Sequence, residues 1–196
     1  MAFPLHRSLS KPARAVQAWH VDAALVALFS LVITLAAQIA IPLPFTPVPV
    51  TLQTLAVLLA GALLGPRRGA LAVLAYIGEG LAGLPVFAGG KAGIAHLLGP
   101  TGGFLAGFVA AAFLVGLLAW RGWTRKPLAA VFALSLGNAC LYVPGLAWLG
   151  LFVGYPRVLS LGFLPFLPGD VLKIAAGGGL LSILALARGR AAAHLG

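Results

Sequence analysis

Six apolar runs, linked by short joints rich in glycine and proline, fill this chain from about Asp22 to Ala187. They lie at about 22–41, 48–64, 69–84, 103–120, 128–153 and 161–187. Runs of this kind leave few folds open, because a segment of about 20 apolar residues is what an α-helix needs to cross a hydrocarbon core. Only 8% of the residues are charged and 61% are hydrophobic, against roughly 25% charged in soluble domains. The expected fold is therefore all-α: a polytopic integral membrane protein of six transmembrane helices forming one membrane domain over residues 1–196. The runs at 48–64 and 69–84 are short for a span, and tilt or local bilayer thinning would accommodate them. Joints such as "IPLPFTPVP", "LGPRRG", "GLPVFAGG" and "LLGPTGG" mark the turns. No internal repeat is evident.

The basic residues set the orientation. With the N-terminus in the cytoplasm, Arg7, Lys11, Arg14, Arg67, Arg68, Arg121, Arg125, Lys126, Arg188 and Arg190 all fall inside, and only Lys91 and Arg157 fall outside. An even number of spans returns the C-terminus to the cytoplasm as well. Residues 1–21 then form a basic cytoplasmic arm. The apolar run behind that arm exceeds the 7–15 residues of a cleaved signal core, so it reads as a retained first helix. A pI of 11.3 invites a nucleic-acid partner, but the basic residues sit in short clusters between apolar runs and form no continuous face. No nucleic acid is expected. The single cysteine, Cys140, excludes an internal disulfide framework.

Charges within or at the edge of a span are few: Asp22, Glu79, Asp170 and Lys173. Asp22 reads as an acid at the start of the first helix, where the macrodipole favours it. Asp170 and Lys173, spaced i, i+3, project from one face in the outer half of the last span. A charge at that depth costs at least about 2.5–3.5 kcal/mol, so the pair either neutralises itself or is held ready for a polar ligand. Glu79 closes a helix end, pairs with Lys91 or touches ligand; Lys91 itself reads as solvated. Small residues at four-residue spacing, Ala23 with Ala27, Gly99 with Gly103 and Gly107, and Gly150 with Gly154, allow close helix approach. Ala23 and Ala27 are also candidates for docking another membrane protein.

Several chemistries have no residues to carry them. There is no G-x-x-x-x-G-K-[ST] phosphate loop, the four histidines are scattered, and no Ser–His–Asp set is apparent. The chain is expected to be neither an enzyme nor a cofactor or metal protein. What remains is a small helical membrane protein with an outward-facing polar spot.

Over Thr46 to Phe108, "PVTLQTL", "GLPVFAGG" and "GPTGGF" in that order resemble the BioY family, and the D-x-x-K of the last span resembles that family's ligand-contacting pair. The family comprises biotin-specific substrate-binding (S) components of energy-coupling-factor (ECF) transporters. The resemblance implies capture of biotin from outside a bacterial plasma membrane, with a transmembrane coupling subunit and two cytoplasmic ATPases as partners. It implies no cofactor, and biotin as the ligand. Lys173 and Asp170 would meet biotin's polar groups, with the orientation open. Thr51 and Gln53 would form polar wall, and Tyr76, Phe87 and Phe104 apolar wall. Gly99, Thr101 and Gly102 belong to a turn whose backbone N–H groups would approach the ligand. "PLPFTPVP", residues 42–49, would be a stiff lid. Phe104 stands where the family often has Tyr, and Lys91 where a small residue is expected. Two other readings stay open: an ion-coupled carrier using Asp170 and Glu79, and the same architecture binding a different vitamin.

Overall fold

Each apolar run becomes helix, but its ends move to where the turn chemistry sits. The structure, a computed structural model, describes residues 11–193. Arg7, with the start of the basic arm, lies outside the described residues, as do His6 and His194. Helix α1 spans Lys11–Gln38. The chain then turns extended: β1 (Ala40–Ile41) pairs antiparallel with β2 (Val50–Thr51), Ala40 opposite Thr51 and Ile41 opposite Val50. This small ladder pinches off the proline-rich loop between the strands. It also delays α2, which begins at Gln53 and ends at Leu64 instead of starting near residue 48.

Gly65 separates α2 from α3 (Pro66–Leu81). Its φ of 83° lies where a side chain would be strained, and Pro66 follows as the first helical residue, where its missing N–H costs nothing. The third helix therefore starts before the expected residue 69. A short α4 (Ile94–Leu97) precedes α5 (Gly102–Trp120) and α6 (Pro127–Val153), both close to the expected limits. Gly154 ends α6 with a φ of 80°. The run expected as one span from residue 161 divides into α7 (Val158–Gly162) and α8 (Leu167–Ala193). Pro165 disfavours the helical conformation at the residue before it, which puts the break between them.

α1 reaches well beyond its expected start, so Asp22 is not a helix-terminal acid. It lies inside α1 and forms an ion pair of 2.6 Å with Arg68 of α3. Two further sets of polar contacts hold α1, one to the parallel α3 and one to the loop that follows it. Ser30 donates to Glu79 Oε1 at 2.8 Å. Gln38 Nε2 donates to the carbonyls of Val86 and Phe87 while its Oε1 accepts from Gly90 N–H.

α5 is the central helix, packed against α2, α3 and α6. Glycine makes these approaches possible. A Cβ on Gly61 would lie 2.2 Å from the Ala112 carbonyl oxygen, and one on Gly116 2.4 Å from the Pro66 nitrogen. Gly103 and Gly107 meet α6 in the same way, against Trp148 and the Leu141 carbonyl. Gly150 makes room for the Tyr155 ring. Ala23 and Ala27 are exposed on α1.

Among the described residues, four helical stretches are long and apolar enough to cross a membrane: Trp19–Gln38, Gly102–Trp120, Pro127–Val153 and Leu167–Ala187. At 1.5 Å per residue α2 is about 18 Å long and α3 about 24 Å, shorter than a hydrocarbon core of about 30 Å. Leu128, Val143, Val171 and Leu172 face outward, a surface suited to lipid.

Candidate functional site

The site is assembled from the starts of α2 and α8 and the middle of α6. Asp170 falls in the first turn of α8, where the helix dipole favours a carboxylate, and it is 3% exposed. Its Oδ2 accepts hydrogen bonds from Asn138 Nδ2 at 2.9 Å and the Tyr142 hydroxyl at 2.5 Å. Its Oδ1 accepts from Lys173 Nζ at 3.0 Å, one turn along the same helix. Lys173 also donates to the Thr51 carbonyl at 3.1 Å and to Thr54 Oγ1 at 2.7 Å. All three N–H bonds of the ammonium thus have acceptors. Lys173 ties α8 to the start of α2, and Asp170 ties it to α6. A buried pair without such further bonds would be a net cost; this one has acceptors or donors on both partners.

Beside the pair lies a mostly apolar cavity of about 60 Å³. It is bordered by Val48 and Pro49 of the proline-rich loop, by Thr51, Gln53 and Thr54, and by Tyr76, Phe104, Tyr142 and Phe166. That volume holds a water or two, whereas pockets for small organic molecules run to about 300–1,000 Å³. A larger solute needs side chains or the bordering loop to move. The proline-rich loop closes one side of the cavity, held by its two-residue ladder and by the buried side chains of Thr46 and Val48.

Gln53 Nε2 donates to the Tyr76 hydroxyl at 2.7 Å, fixing both side chains in the wall. Thr51 Oγ1 accepts from the Gln53 backbone N–H at 3.3 Å. Across the cavity His96 lies 3.3 Å from Thr101 Oγ1 and stacks on Phe87. Partial burial, with the Lys91 ammonium as a lesser cause, holds the His96 pKa below 6.5. The ring is therefore mainly uncharged at neutral pH.

Of the residues expected at a site, Thr51, Gln53, Tyr76, Thr101, Phe104, Asp170 and Lys173 border one cavity. Phe87 does not. It is fully buried behind the wall, edge-on to Tyr76, while its neighbour Ala88 borders the cavity. Gly99 and Gly102 also fall short of it. Their N–H groups are bonded within the turn, to the carbonyls of His96 and Gly99 respectively, and Gly102 is packed against the Leu97 carbonyl. The expectation that these N–H groups face the ligand is corrected: the turn consumes its own donors. Glu79 accepts from Ser30 instead of pairing with Lys91, which is exposed.

Asn138, Tyr142, Thr54 and His96 join the site without having been expected there. Asn138 and Tyr142 are spaced i, i+4 in an otherwise apolar run, which places two polar groups on one helix face. That spacing was a usable signal, hidden because neither side chain is charged.

Fold and site together define a multi-pass helical membrane protein with an ion pair beside a small, partly open cavity. The BioY family profile matches residues 10–190, and the chain belongs to that family. It is 43% identical over 154 residues to the probable biotin transporter BioY of Pyrococcus horikoshii, covering 79% of this chain and 90% of that protein. It is 38% identical over 161 residues to the biotin transporter BioY of Rhizobium etli, covering 78% and 86%. It also resembles a crystal structure at 2.1 Å of the S-component for biotin from an ECF-type ABC transporter. That match has a TM-score of 0.76 and 28% identity, covering 90% of this chain and 94% of that one.

Proposed function

We propose that this protein captures biotin from outside the cell and takes it across the plasma membrane as the substrate-binding subunit of an ECF-type ABC transporter. The observation that carries the reading is the buried Asp170–Lys173 pair, held between α2 and α6 at the wall of an apolar cavity. Membership of the BioY family and the likeness to an S-component for biotin support it. Biotin combines a carboxylate, a ureido group and an apolar bicyclic ring. A wall offering an ammonium, a carboxylate, Thr51, Gln53 and apolar rings matches those three parts.

In this reading six segments cross the bilayer, both termini are cytoplasmic and the cavity faces outward, with residues 42–49 as its lid. The basic residues in the first turn of α3 and between α5 and α6 support that orientation. Energy comes from a transmembrane coupling subunit and two cytoplasmic ATPases, and the exposed Ala23 and Ala27 suit a close helix contact with the coupling subunit. The alternative of an ion-coupled carrier is weakened by Glu79, which is bonded to Ser30 away from the cavity.

Equilibrium titration of the purified protein with biotin, riboflavin and thiamine in parallel tests the reading. Biotin alone should bind tightly, and Lys173→Ala should weaken it by about 1.5–3 kcal/mol, as for a charged hydrogen bond. A variant that binds biotin normally but unfolds more easily would make the ion pair structural. Sustained uptake by the lone chain in a proton or sodium gradient, abolished by an ionophore, would replace the subunit reading with the carrier one.

A further inference from the structure

Two further cavities lie at the other end of the bundle from Asp170. At 1.5 Å per residue, α2 from Gln53 to Leu64 and α8 from Lys173 to Leu184 each rise about 16.5 Å. There a groove of about 910 Å³ runs between α2, α8 and the start of α6, with Leu63, Leu181 and Leu184 along it and Arg68, Thr124 and Arg125 at its rim. On the other side of the α2–α3 joint a groove of about 980 Å³ runs between α1 and α3, past Val26, Leu71 and Leu74, with Arg67 and Arg68 at its rim. Leu64, Arg68 and Trp120 border both grooves.

Most of the positive charge at this end has no counter-charge within the protein; Asp22, which borders the second groove, pairs with Arg68 alone. The chain contains only three acidic residues, and each is already engaged: Asp22 with Arg68, Glu79 with Ser30, and Asp170 with Lys173. Arg67, Arg121, Arg125 and Lys126 are left without a carboxylate side chain to meet. Trp19 and Trp120, about two-thirds exposed at 66% and 68%, stand at the same level, as tryptophans do at a membrane–water boundary. An acidic peptide would meet the charge but leave the apolar groove walls uncovered. A zwitterionic lipid brings its own cation to the same place.

We propose that the two grooves hold an anionic phospholipid, its phosphate between Arg67 and Arg125 on the rim and its acyl chains along the leucine-lined walls on either side of the α2–α3 joint. Guanidinium groups bind phosphate through paired N–H donors, and basic pockets between helices suit anionic headgroups. The site is separate from the ligand cavity, so the proposal does not depend on what that cavity binds; Ala23 borders the second groove, so the lipid belongs to the chain free of its coupling subunit.

Native mass spectrometry of the full-length protein, equilibrated with equal amounts of phosphatidylglycerol and phosphatidylcholine of identical acyl chains, tests it. Phosphatidylglycerol should be retained in preference, and Arg67→Gln with Arg125→Gln should reduce that preference by roughly fivefold per arginine. Arg157→Gln, at the opposite end, should leave it unchanged. Arg125→Lys, which keeps the charge but loses the paired donors, should retain a preference between those of the wild type and Arg125→Gln, and it serves if the double variant folds poorly. Equal retention of the two lipids, or a preference indifferent to the arginine substitutions, overturns the proposal. So does displacement of the lipid by an acidic peptide at equal concentration, which would mark the rim as a protein contact.

Discussion

Lys173 has its three donors spent on Asp170, Thr54 and the Thr51 carbonyl, so a ligand reaches the ammonium only by displacing one of them. The Thr51 carbonyl, at 3.1 Å the longest of the three, is the natural one to yield, and it sits on the strand that anchors the proline-rich loop. In the proposed function, ligand contact would be coupled to the proline-rich loop through this one residue. Asp170 is held more firmly, since Tyr142 and Asn138 both donate to its second oxygen. Tyr142→Phe should remove a charged hydrogen bond and lower stability by about 1.5–3 kcal/mol, read as a lower midpoint of unfolding in detergent. An unchanged midpoint would mean that another donor serves the carboxylate. The pairing of Asp170 with Lys173 was legible from their spacing alone, because three residues along a helix is one turn. Tyr142 and Asn138 were not, because their partner is on another helix and neither carries a charge to attract notice.

Among the elements, α5 depends most on the absence of side chains. A Cβ on Gly107 would lie 2.6 Å from the Leu141 carbonyl, whereas one on Gly179 of α8 meets nothing within 4 Å. Gly107→Ala should cost about 1–3 kcal/mol by overpacking α5 against α6. Gly179→Ala should be neutral or stabilise α8 by up to about 1 kcal/mol through helix propensity. Unfolding midpoints of the two variants measured side by side check the contrast; equal effects would mean that α5 and α6 are less closely packed. The spans at 103–120 and 128–153 were readable almost to the residue, because a charged or glycine-containing joint bounds each. The starts of α1, α2 and α8 were not. A two-residue ladder delays α2, and proline splits the last run, and both are settled by pairing and packing beyond the local pattern.

For the whole molecule, the proposed topology makes a direct prediction. With Cys140 replaced by Ser, Lys91→Cys in intact cells should react with a membrane-impermeant maleimide, and Lys126→Cys only after the membrane is opened. The reverse pattern would place the cavity on the cytoplasmic side and end the capture reading. The basic residues already argue for this arrangement, since Arg67, Arg68, Arg121, Arg125 and Lys126 lie between helix ends remote from the cavity, and Lys91 and Arg157 lie at the cavity end.

What the sequence by itself determined was the solvent, the helical character and the charged pair that singles out one turn of the last helix. These follow from hydrophobicity and from helical period, which are properties of short stretches. The D-x-x-K spacing and the three motifs "PVTLQTL", "GLPVFAGG" and "GPTGGF" also pointed to the right family. Only the tertiary structure decided which wall residues meet. It brought Thr51, Gln53, Tyr76, Thr101 and Phe104 to the cavity, turned Phe87, Gly99 and Gly102 away from it, and supplied Tyr142 and Asn138 to Asp170. Which way a side chain faces across a bundle depends on how neighbouring helices rotate against one another, and that rotation is fixed by glycine contacts between segments far apart in the chain.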